Sequence, residues 1–249
     1  MYQLFQTIFY QPILNLVIFL YNNLAFQDLG LAIIILTFII KAILWPLSRK
    51  SIESQKALQE IQPKIDELKA KYKDDKQLLG QELMSLYKKN NVNPFSSCLP
   101  LLIQLPFFIA VFQVFKDGID KHLDLVYPFI TKPEFINSTF LGFMDLSKPV
   151  IYLAVLAGAA QFWQAKMMMA KRKQIKSPEA TNSKTESMTA IMNKQMLYFM
   201  PALTIFIGVT LPGGLTLYWF ILTLLTVLQQ SLVNKKDQNQ GLIEGQIVS

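Results

Sequence analysis

Long blocks of apolar residues, separated by basic stretches, dominate this chain. Apolar residues make up 52% of its 249 residues and charged residues only 16%. A helix needs about 20 mostly apolar residues to cross a hydrocarbon core of roughly 30 Å, and five segments approach that length. The sequence therefore predicts an all-α integral membrane protein with five transmembrane helices in a core of residues 29–232. The expected spans are residues 29–47, 97–115, 150–168, 196–211 and 214–232.

Basic residues between the spans indicate an orientation, because Lys and Arg accumulate on the cytoplasmic side of a membrane. Residues 48–96 carry ten of them, residues 166–195 carry seven and the tail 233–249 carries two. The loop 116–148 carries four and residues 1–28 carry none. We therefore expect the N-terminus outside and the C-terminus in the cytoplasm.

Cysteine and histidine usage argues against several kinds of site. Cys98 is the only cysteine and His122 the only histidine, so a disulfide framework and a Cys/His metal centre are not expected. The net charge of +7 fits topology and contact with anionic lipid better than nucleic acid. We expect no metal, no cofactor and no direct nucleic-acid partner. The first ten residues contain no Lys or Arg, so we expect the N-terminus to belong to the mature protein.

The N-terminal region, residues 1–28, differs from the spans. Its apolar stretch 12–24 is short for a crossing. Gln11, Asn15 and Asn22 lie on one face of a helix there, which is typical of an amphipathic helix in the membrane interface. The alternative is an irregular extension of the first span.

The first cytoplasmic loop has helical periodicity. Residues 49–92 predict a helical hairpin with a turn near Asp74 and Asp75. Its charges form either a solvated face or a surface for lipid headgroups, the ribosome or another partner. Its apolar positions, at steps of three and four residues on each side of the turn, include Leu58, Ile61, Ile65, Leu68, Leu83 and Leu86.

Two other segments lack an apolar pattern. Residues 171–187 have almost no apolar content and indicate a flexible basic loop. The short tail 233–249 is expected to be cytoplasmic and loose.

Lys41 is the only charge well inside an expected span. A lysine near the middle of a transmembrane helix costs about 2.5 to 3.5 kcal/mol. One explanation is snorkelling, since Lys41 lies six residues before Leu47, roughly 9 Å along a helix. The other is a hydrated cavity open to the cytoplasm, which Thr37 favours because it lies one turn earlier on the same face.

Two further spans also carry polar side chains on one face. Taken singly, each such side chain is typical of a hydrogen bond between packed helices. Three helices that each carry polar side chains on one face, together with one lysine, favour a shared hydrophilic groove instead. The residues concerned are Gln161 and Gln164 in the third span, and Thr216, Trp219, Thr223 and Gln230 in the fifth.

Two long stretches resemble a known family. They are KIDELKAKYKDDKQLLGQELMSLYKKNNVNPFSSCLPLLIQLPFFIAVF, residues 64–112, and PGGLTLYWFILTLLTVLQQ, residues 212–230. Both are similar to the YidC/Oxa/Alb membrane protein insertases, and the resemblance extends from about residue 5 to 235. It implies a multi-pass protein of the bacterial plasma (inner) membrane. It also implies five core spans that enclose a hydrophilic groove, and the short type that lacks a large periplasmic domain.

The resemblance also implies roles for particular residues. Lys41 stands where the family has a cation, usually arginine. Trp219 matches a groove aromatic of the last helix, and Gln161 matches a polar residue of the third span. Lysine is a flexible point charge, whereas arginine is a forked donor that stays charged, so the exchange changes the chemistry of the groove.

We therefore expect an insertase and chaperone for small membrane proteins, not an enzyme. Lys41 would pair with an acidic flank of the incoming helix, and the hairpin would capture or admit it. Its partners would be nascent membrane proteins and the lipid bilayer, with the ribosome and the Sec translocon as further candidates. Two other functions stay open at this point: a small transporter or proton-coupled carrier that uses Lys41, and an assembly scaffold without insertion activity.

Overall fold

A computed structural model gives the fold of this chain. It describes residues 2–93, 95, 99–116, 118–170 and 195–247. Most of these residues are helical, as the composition predicts. Cys98 and the expected basic loop 171–187 lie outside the described residues.

The described residues form ten α-helices. In chain order they are α1 (Tyr2–Phe5), α2 (Gln11–Asn23), α3 (Leu29–Ile43), α4 (Trp45–Glu60), α5 (Gln62–Lys71), α6 (Lys76–Lys89), α7 (Leu99–Lys116), α8 (Ile151–Ala170), α9 (Met200–Gly208) and α10 (Gly213–Ile247). Single π-helical segments, Gln6–Tyr10 and Gln195–Phe199, precede α2 and α9. A 3₁₀ segment, Ile119–Leu125, and an antiparallel pair of short strands, β1 (Thr139–Phe140) and β2 (Met144–Asp145), lie between α7 and α8.

Membrane crossing can be judged from helix length and composition. Among the described residues, Gln3–Asn23 and Gly213–Val233 are long and apolar enough to span a bilayer. A third span results if α3 and α4 count as one broken helix, while Leu102–Lys116 and Leu197–Gly208 are shorter apolar helices. An all-α membrane protein is therefore confirmed, and five crossings remain a prediction.

The first expected span is shorter than the sequence indicates. Its helix, α3, begins after Asp28, whose carboxylate accepts the backbone N–H of Leu31 as an N-cap. It ends at Ile43, four residues before the expected end. Pro46 explains the break, because its ring lacks an N–H and clashes with the carbonyl of the preceding turn. Lys41 consequently lies in the last turn of α3, just before the break between α3 and α4.

The other helices differ from their expected spans mainly at their ends. Helix α8 agrees with its expected span to within two residues, and α9 ends three residues early. Helix α10 continues to Ile247, so the tail that was expected to be loose is helical as far as that residue. The mostly polar composition of this tail does not by itself distinguish a helical extension from a loose segment.

The chain forms two compact units. The first contains Met1–Trp45, Leu101–Gln161 and Pro201–Thr226, and the second contains Pro46–Pro100, Phe162–Met200 and Val227–Ser249. In the first unit, the largest apolar cluster brings together α2, α3, α7 and α10. Its fully buried side chains include Leu14, Val17, Ile33, Leu36, Val111, Val114, Leu215 and Tyr218.

Small residues let α8 and α9 approach closely. A Cβ placed on Gly158 would lie 2.4 Å from Cγ1 of Ile205. A Cβ placed on Gly208 would lie 2.8 Å from Cβ of Ala154. Close backbone contact at small residues is how membrane helices gain packing energy, since the lipid tails are as apolar as the side chains.

The polar face of α2 is covered by the loop between α7 and α8. Gln11 Nε2 and Asn15 Nδ2 both donate to the carbonyl of Leu125, at 3.0 and 3.1 Å. Asn22 Nδ2 donates to the carbonyl of Thr131 at 2.7 Å. After the turn that follows Asn23, α3 packs against α2, so residues 12–24 do not extend the first span. Their position in the membrane interface remains a prediction.

The second unit contains the helical hairpin. Its turn lies between Lys71 and Lys76, where Asp75 caps α6 through the backbone N–H groups of Gln77 and Leu78. This is the turn that the sequence predicts. An additional break near Ile61 separates α4 from α5.

Candidate functional site

Lys41 is buried and bound to another helix. Its Nζ donates to Oγ1 of Thr226 at 3.0 Å, which joins the last turn of α3 to α10. The residue is only 7% exposed. Its ammonium is therefore held against α10 inside the first unit, and the choice between snorkelling and a hydrated cavity stays a prediction.

The surroundings of this ammonium are neutral. Among the described residues, no carboxylate forms an ion pair with Lys41, and Thr226 is its hydrogen-bond partner. An ammonium carries three donors, and one threonine oxygen satisfies one of them. The C-terminal end of a helix carries a partial negative charge, so the last turn of α3 is a favourable place for a cation. The site consequently holds a positive charge with donors to spare.

Hydroxyl groups lie within one helical turn of the contact. Thr37 is fully buried one turn before Lys41, and its Oγ1 donates to the carbonyl of Ile33 at 2.7 Å. Thr223, about 4.5 Å before Thr226 along α10, donates to the carbonyl of Trp219 at 2.9 Å. Both hydroxyls bind their own helices and keep acceptor lone pairs. They make this part of the first unit polar.

Gln161 has a different partner from the one that a shared groove implies. Its Oε1 accepts a short hydrogen bond from Oγ1 of Thr204, a buried residue of α9. This contact ties α8 to α9, next to the close approach of Gly158 and Ile205. Gln161 is thus a helix-packing residue in this structure, and Lys41 joins a different pair of helices.

The remaining predicted residues of α10 lie further from Lys41. Trp219 is half-buried and meets the ring of Phe108 edge-on, with centroids 5.9 Å apart. Thr216 is fully buried at the start of α10 and donates to the carbonyl of Gly208 at 3.3 Å. Ten residues of helix, about 15 Å, separate it from Thr226. Thr216 therefore closes the turn between α9 and α10 and is remote from the ammonium.

Two predicted polar residues belong to the second unit. Gln164 is half-buried on α8. Gln230 is 6% exposed, and its Oε1 has no hydrogen-bond partner among the described residues. It lines a cavity of about 30 Å³ together with Gln55, Gln59 and Met167. This volume is comparable to that of one water molecule.

The apolar residues that were expected to capture substrates form the core of the hairpin. Ile61 and Ile65 are buried, at 7% and 4% exposure. Leu58, Leu83 and Leu86 are half-buried and pack against them. Leu68 is also half-buried. In this conformation these side chains hold α5 and α6 together, so an incoming helix cannot reach all of them.

Sequence patterns did not predict several of these hydrogen-bond partners. Thr226 lies three residues after Thr223 and seven after Trp219, so the same helical spacing could have identified it. Thr204 carries no such signal. Gln104 Nε2 donates to the buried hydroxyl of Tyr218 at 2.6 Å, which ties α7 to α10. Gln104 stands inside the run that carries the family resemblance, but no sequence pattern points to Tyr218.

Outside the spans, Asp145 forms an ion pair and several hydrogen bonds in the loop between α7 and α8. Nζ of Lys148 donates to its Oδ2 at 2.9 Å, and Oγ of Ser147 donates to its Oδ1 at 2.6 Å. The ion pair with Lys148, followed by the hydrogen bonds from Ser147, holds the pKa of Asp145 well below its usual range. The same pair raises the pKa of Lys148.

Most of the chain matches a known protein family. The family described as 60Kd inner membrane protein matches residues 19–240.

Individual relatives are similar over most of this chain. A protein of Clostridium tetani named membrane protein insertase YidC is 40% identical over 214 residues, which cover 85% of this chain and 84% of the relative. A protein of the same name from Syntrophus aciditrophicus is 36% identical over 227 residues, or 90% of this chain and 36% of the relative. A protein of the same name from Haemophilus influenzae is 33% identical over 216 residues, which cover 86% of this chain and 34% of the relative. The chain thus spans about a third of the last two relatives and most of the first.

Proposed function

Because this chain belongs to the YidC/Oxa/Alb family of membrane protein insertases, we propose that it inserts small membrane proteins into the bacterial inner membrane. Lys41 would receive the acidic flank of an incoming helix. The observation that carries this proposal is the buried ammonium of Lys41, held by the neutral hydroxyl of Thr226. A substrate carboxylate could take the donors that Thr226 leaves unused.

A hydrophilic groove would lower the barrier to insertion. An apolar helix enters lipid favourably, whereas its polar flank must cross the hydrocarbon core. We place the charged part of the groove at Lys41, with Thr37, Thr223 and Thr226 as hydroxyl lining. Trp219 would border it. Gln161, Gln164 and Thr216 join the groove only if α8 and α9 separate during insertion, because Gln161 is bound to Thr204 in this conformation.

Two electrostatic terms would assist the transfer of the acidic flank: pairing with Lys41 inside the groove, and the membrane potential, which favours outward movement. Charge pairing with Lys41 in a wet site contributes a few kcal/mol at most. A membrane potential that is positive outside favours outward movement of each acidic charge by about 2.3 kcal/mol per 100 mV. The direction assumes that the N-terminus is outside and the C-terminus in the cytoplasm, as the Lys and Arg distribution predicts. No covalent step is needed, so the proposed activity is not enzymatic.

The hairpin would admit substrates by opening. Its buried residues Ile61 and Ile65 contact the leucines of α6 only while α5 and α6 stay together. Separation of the two helices would expose an apolar strip to an incoming helix. The exposed basic surface would meet lipid headgroups, and the ribosome and the Sec translocon are candidate partners for it.

Reconstitution tests the activity in the absence of these partners. Purified protein in liposomes of phosphatidylethanolamine and phosphatidylglycerol is given a short single-span substrate, and protease protection measures insertion. We expect insertion well above that of empty liposomes, and a loss in Lys41→Ala. Insertion equal to empty liposomes would support an assembly scaffold instead. A Lys41-dependent solute or proton flux without insertion would support a carrier.

A further inference from the structure

Two large apolar residues have backbone conformations that bulky side chains disfavour. Phe26 and Leu141 both have φ near +51°, in the left-handed region that bulky side chains rarely adopt. Phe26 is 90% exposed and Leu141 is 58% exposed, so packing does not explain them either. Glycine or asparagine would fit both positions with less strain.

The two residues lie at the same end of α3, where the helix begins. The carboxylate of Asp28 caps α3 through Leu31 and also accepts the backbone N–H of Leu141 at 2.6 Å. The strand before Leu141 packs on α3 as well, because the ring of Phe140 covers Gly30. The turn that follows contains Phe143, which is 69% exposed. The Asp28 carboxylate thus holds Leu141 next to the first turn of α3, and Phe26 precedes Asp28 by two residues.

We infer that Phe26, Leu141 and Phe143 form an apolar tip that is buried in the interface of the lipid bilayer, at the membrane face where α3 begins. This inference does not depend on the proposed insertion activity. Aromatic and leucine side chains at the level where a span enters the membrane bury apolar surface there and fix its depth.

Continuity with the lipid-facing surface of α3 favours lipid as the occupant. Phe26 precedes the first residue of α3 by three positions, and the exposed side chains of Phe38 and Ile43 show that α3 has an outward apolar face. Charge agrees with this assignment. Residues 135–144 carry no charged side chain, and Asp28 is the only charge in residues 1–40. A neutral apolar tip beside a membrane helix suits a bilayer interface.

The tip would determine how deep Lys41 lies. Twelve residues of helix separate Leu29 from Lys41, which is about 18 Å. With the first turn of α3 held at one interface, the ammonium lies that far along the helix axis from that interface. The strained backbone at Phe26 and Leu141 would therefore serve to hold the charge at a fixed depth.

Spin labelling tests the tip in the whole protein. Cys98→Ser provides a background without cysteine, and Phe26→Cys or Phe143→Cys then accepts a nitroxide label. The labelled protein is placed in vesicles of phosphatidylethanolamine and phosphatidylglycerol, and collision with oxygen is compared with collision with a water-soluble nickel chelate. Phe38→Cys is the lipid-facing control. Lys132→Cys, an exposed lysine of the same loop, is the water-facing control.

The expected oxygen-to-nickel ratio at positions 26 and 143 resembles that at 38 and is several-fold above that at 132. A ratio like that at 132 would overturn the inference, because the tip would then lie in water. Low accessibility to both reagents would also overturn it, since a protein surface would then cover the tip.

A second variant separates lipid contact from folding. Leu141→Gly relieves the left-handed strain and removes the side chain. We expect its melting temperature in detergent to equal or exceed that of the parent protein. A clear decrease would show that the fold itself needs the leucine, which contradicts the assignment of this side chain to lipid.

Discussion

The ammonium of Lys41 lies 3.0 Å from Oγ1 of Thr226, which follows it by 185 residues in the chain. The hydroxyl of Thr226 donates in turn to the carbonyl of Leu222 at 2.8 Å. Because its proton is engaged there, the oxygen presents a lone pair to the ammonium. The contact therefore orients a cation between α3 and α10 without neutralising it.

Removal of this acceptor should destabilise the protein. We expect Thr226→Val to lower the free energy of unfolding by about 2 kcal/mol, because a buried ammonium loses its hydrogen bond, and Thr226→Ser to retain most of the stability. Thermal unfolding in detergent measures both. Thr223→Val is the matched control, since that hydroxyl binds a carbonyl of its own helix. If both valine variants lose the same stability, the contact with Lys41 contributes nothing specific.

The charge of Lys41 should matter more than its shape. In cells depleted of their own insertase, we expect Lys41→Arg to restore growth, Lys41→Ala to restore it poorly and Lys41→Glu to fail, because the glutamate repels an acidic flank. Lys73→Glu, at an exposed position of the hairpin, controls for a general effect of charge. Equal growth with all three variants of Lys41 would favour a merely structural lysine.

Close packing of α8 on α9 should not tolerate a methyl group. Gly158→Ala places Cβ 2.4 Å from Cγ1 of Ile205, and we expect a loss of about 1 to 3 kcal/mol in unfolding free energy. Ile205→Ala in the same chain should restore part of it. Gly80→Ala is the control, because nothing lies within 4 Å of its Cβ position, and there a gain of up to about 1 kcal/mol is expected. Unchanged stability in Gly158→Ala would contradict the close approach.

The stability of the loop between α7 and α8 should decrease at acidic pH. The ion pair with Lys148 depresses the pKa of Asp145, so its stabilisation is fully present above the ordinary aspartate pKa of about 3.9 and is lost as the pH falls towards the depressed value. We expect Asp145→Asn to lower the melting temperature at pH 7 and to abolish part of its decrease between pH 5 and pH 3. Parallel pH profiles of the two proteins would refute this role.

The sequence predicted the helices better than their ends. Apolar blocks identified α8 and α10 because a span needs a minimum length of apolar chain. The break after Ile43 was missed, although Pro46 signals it, because the apolar run continues past the break. The break matters for the site, since Lys41 lies in the last turn of α3 and not in the interior of a continuous helix.

The hydrogen-bond partners of polar side chains were harder to predict than the helix faces on which those side chains lie. Helical spacing identifies which side chains share a face, but not which helix lies opposite. Lys41 and Thr226, or Gln161 and Thr204, meet because of the way the helices pack, and no local pattern records that packing. The hairpin shows the same limit, since the spacing of Ile61 and Ile65 predicts an apolar face without showing that α6 covers it.

Insertion of two matched substrates tests the central role of Lys41. The substrates are single-span peptides that differ only in their translocated flank, which carries aspartates in one and asparagines in the other. Parent protein and Lys41→Gln are compared in liposomes under a membrane potential. We predict that Lys41→Gln reduces insertion of the acidic substrate about tenfold, equivalent to about 1.4 kcal/mol, and leaves the neutral substrate nearly unchanged. An equal decrease for both substrates would contradict a charge-pairing role for Lys41.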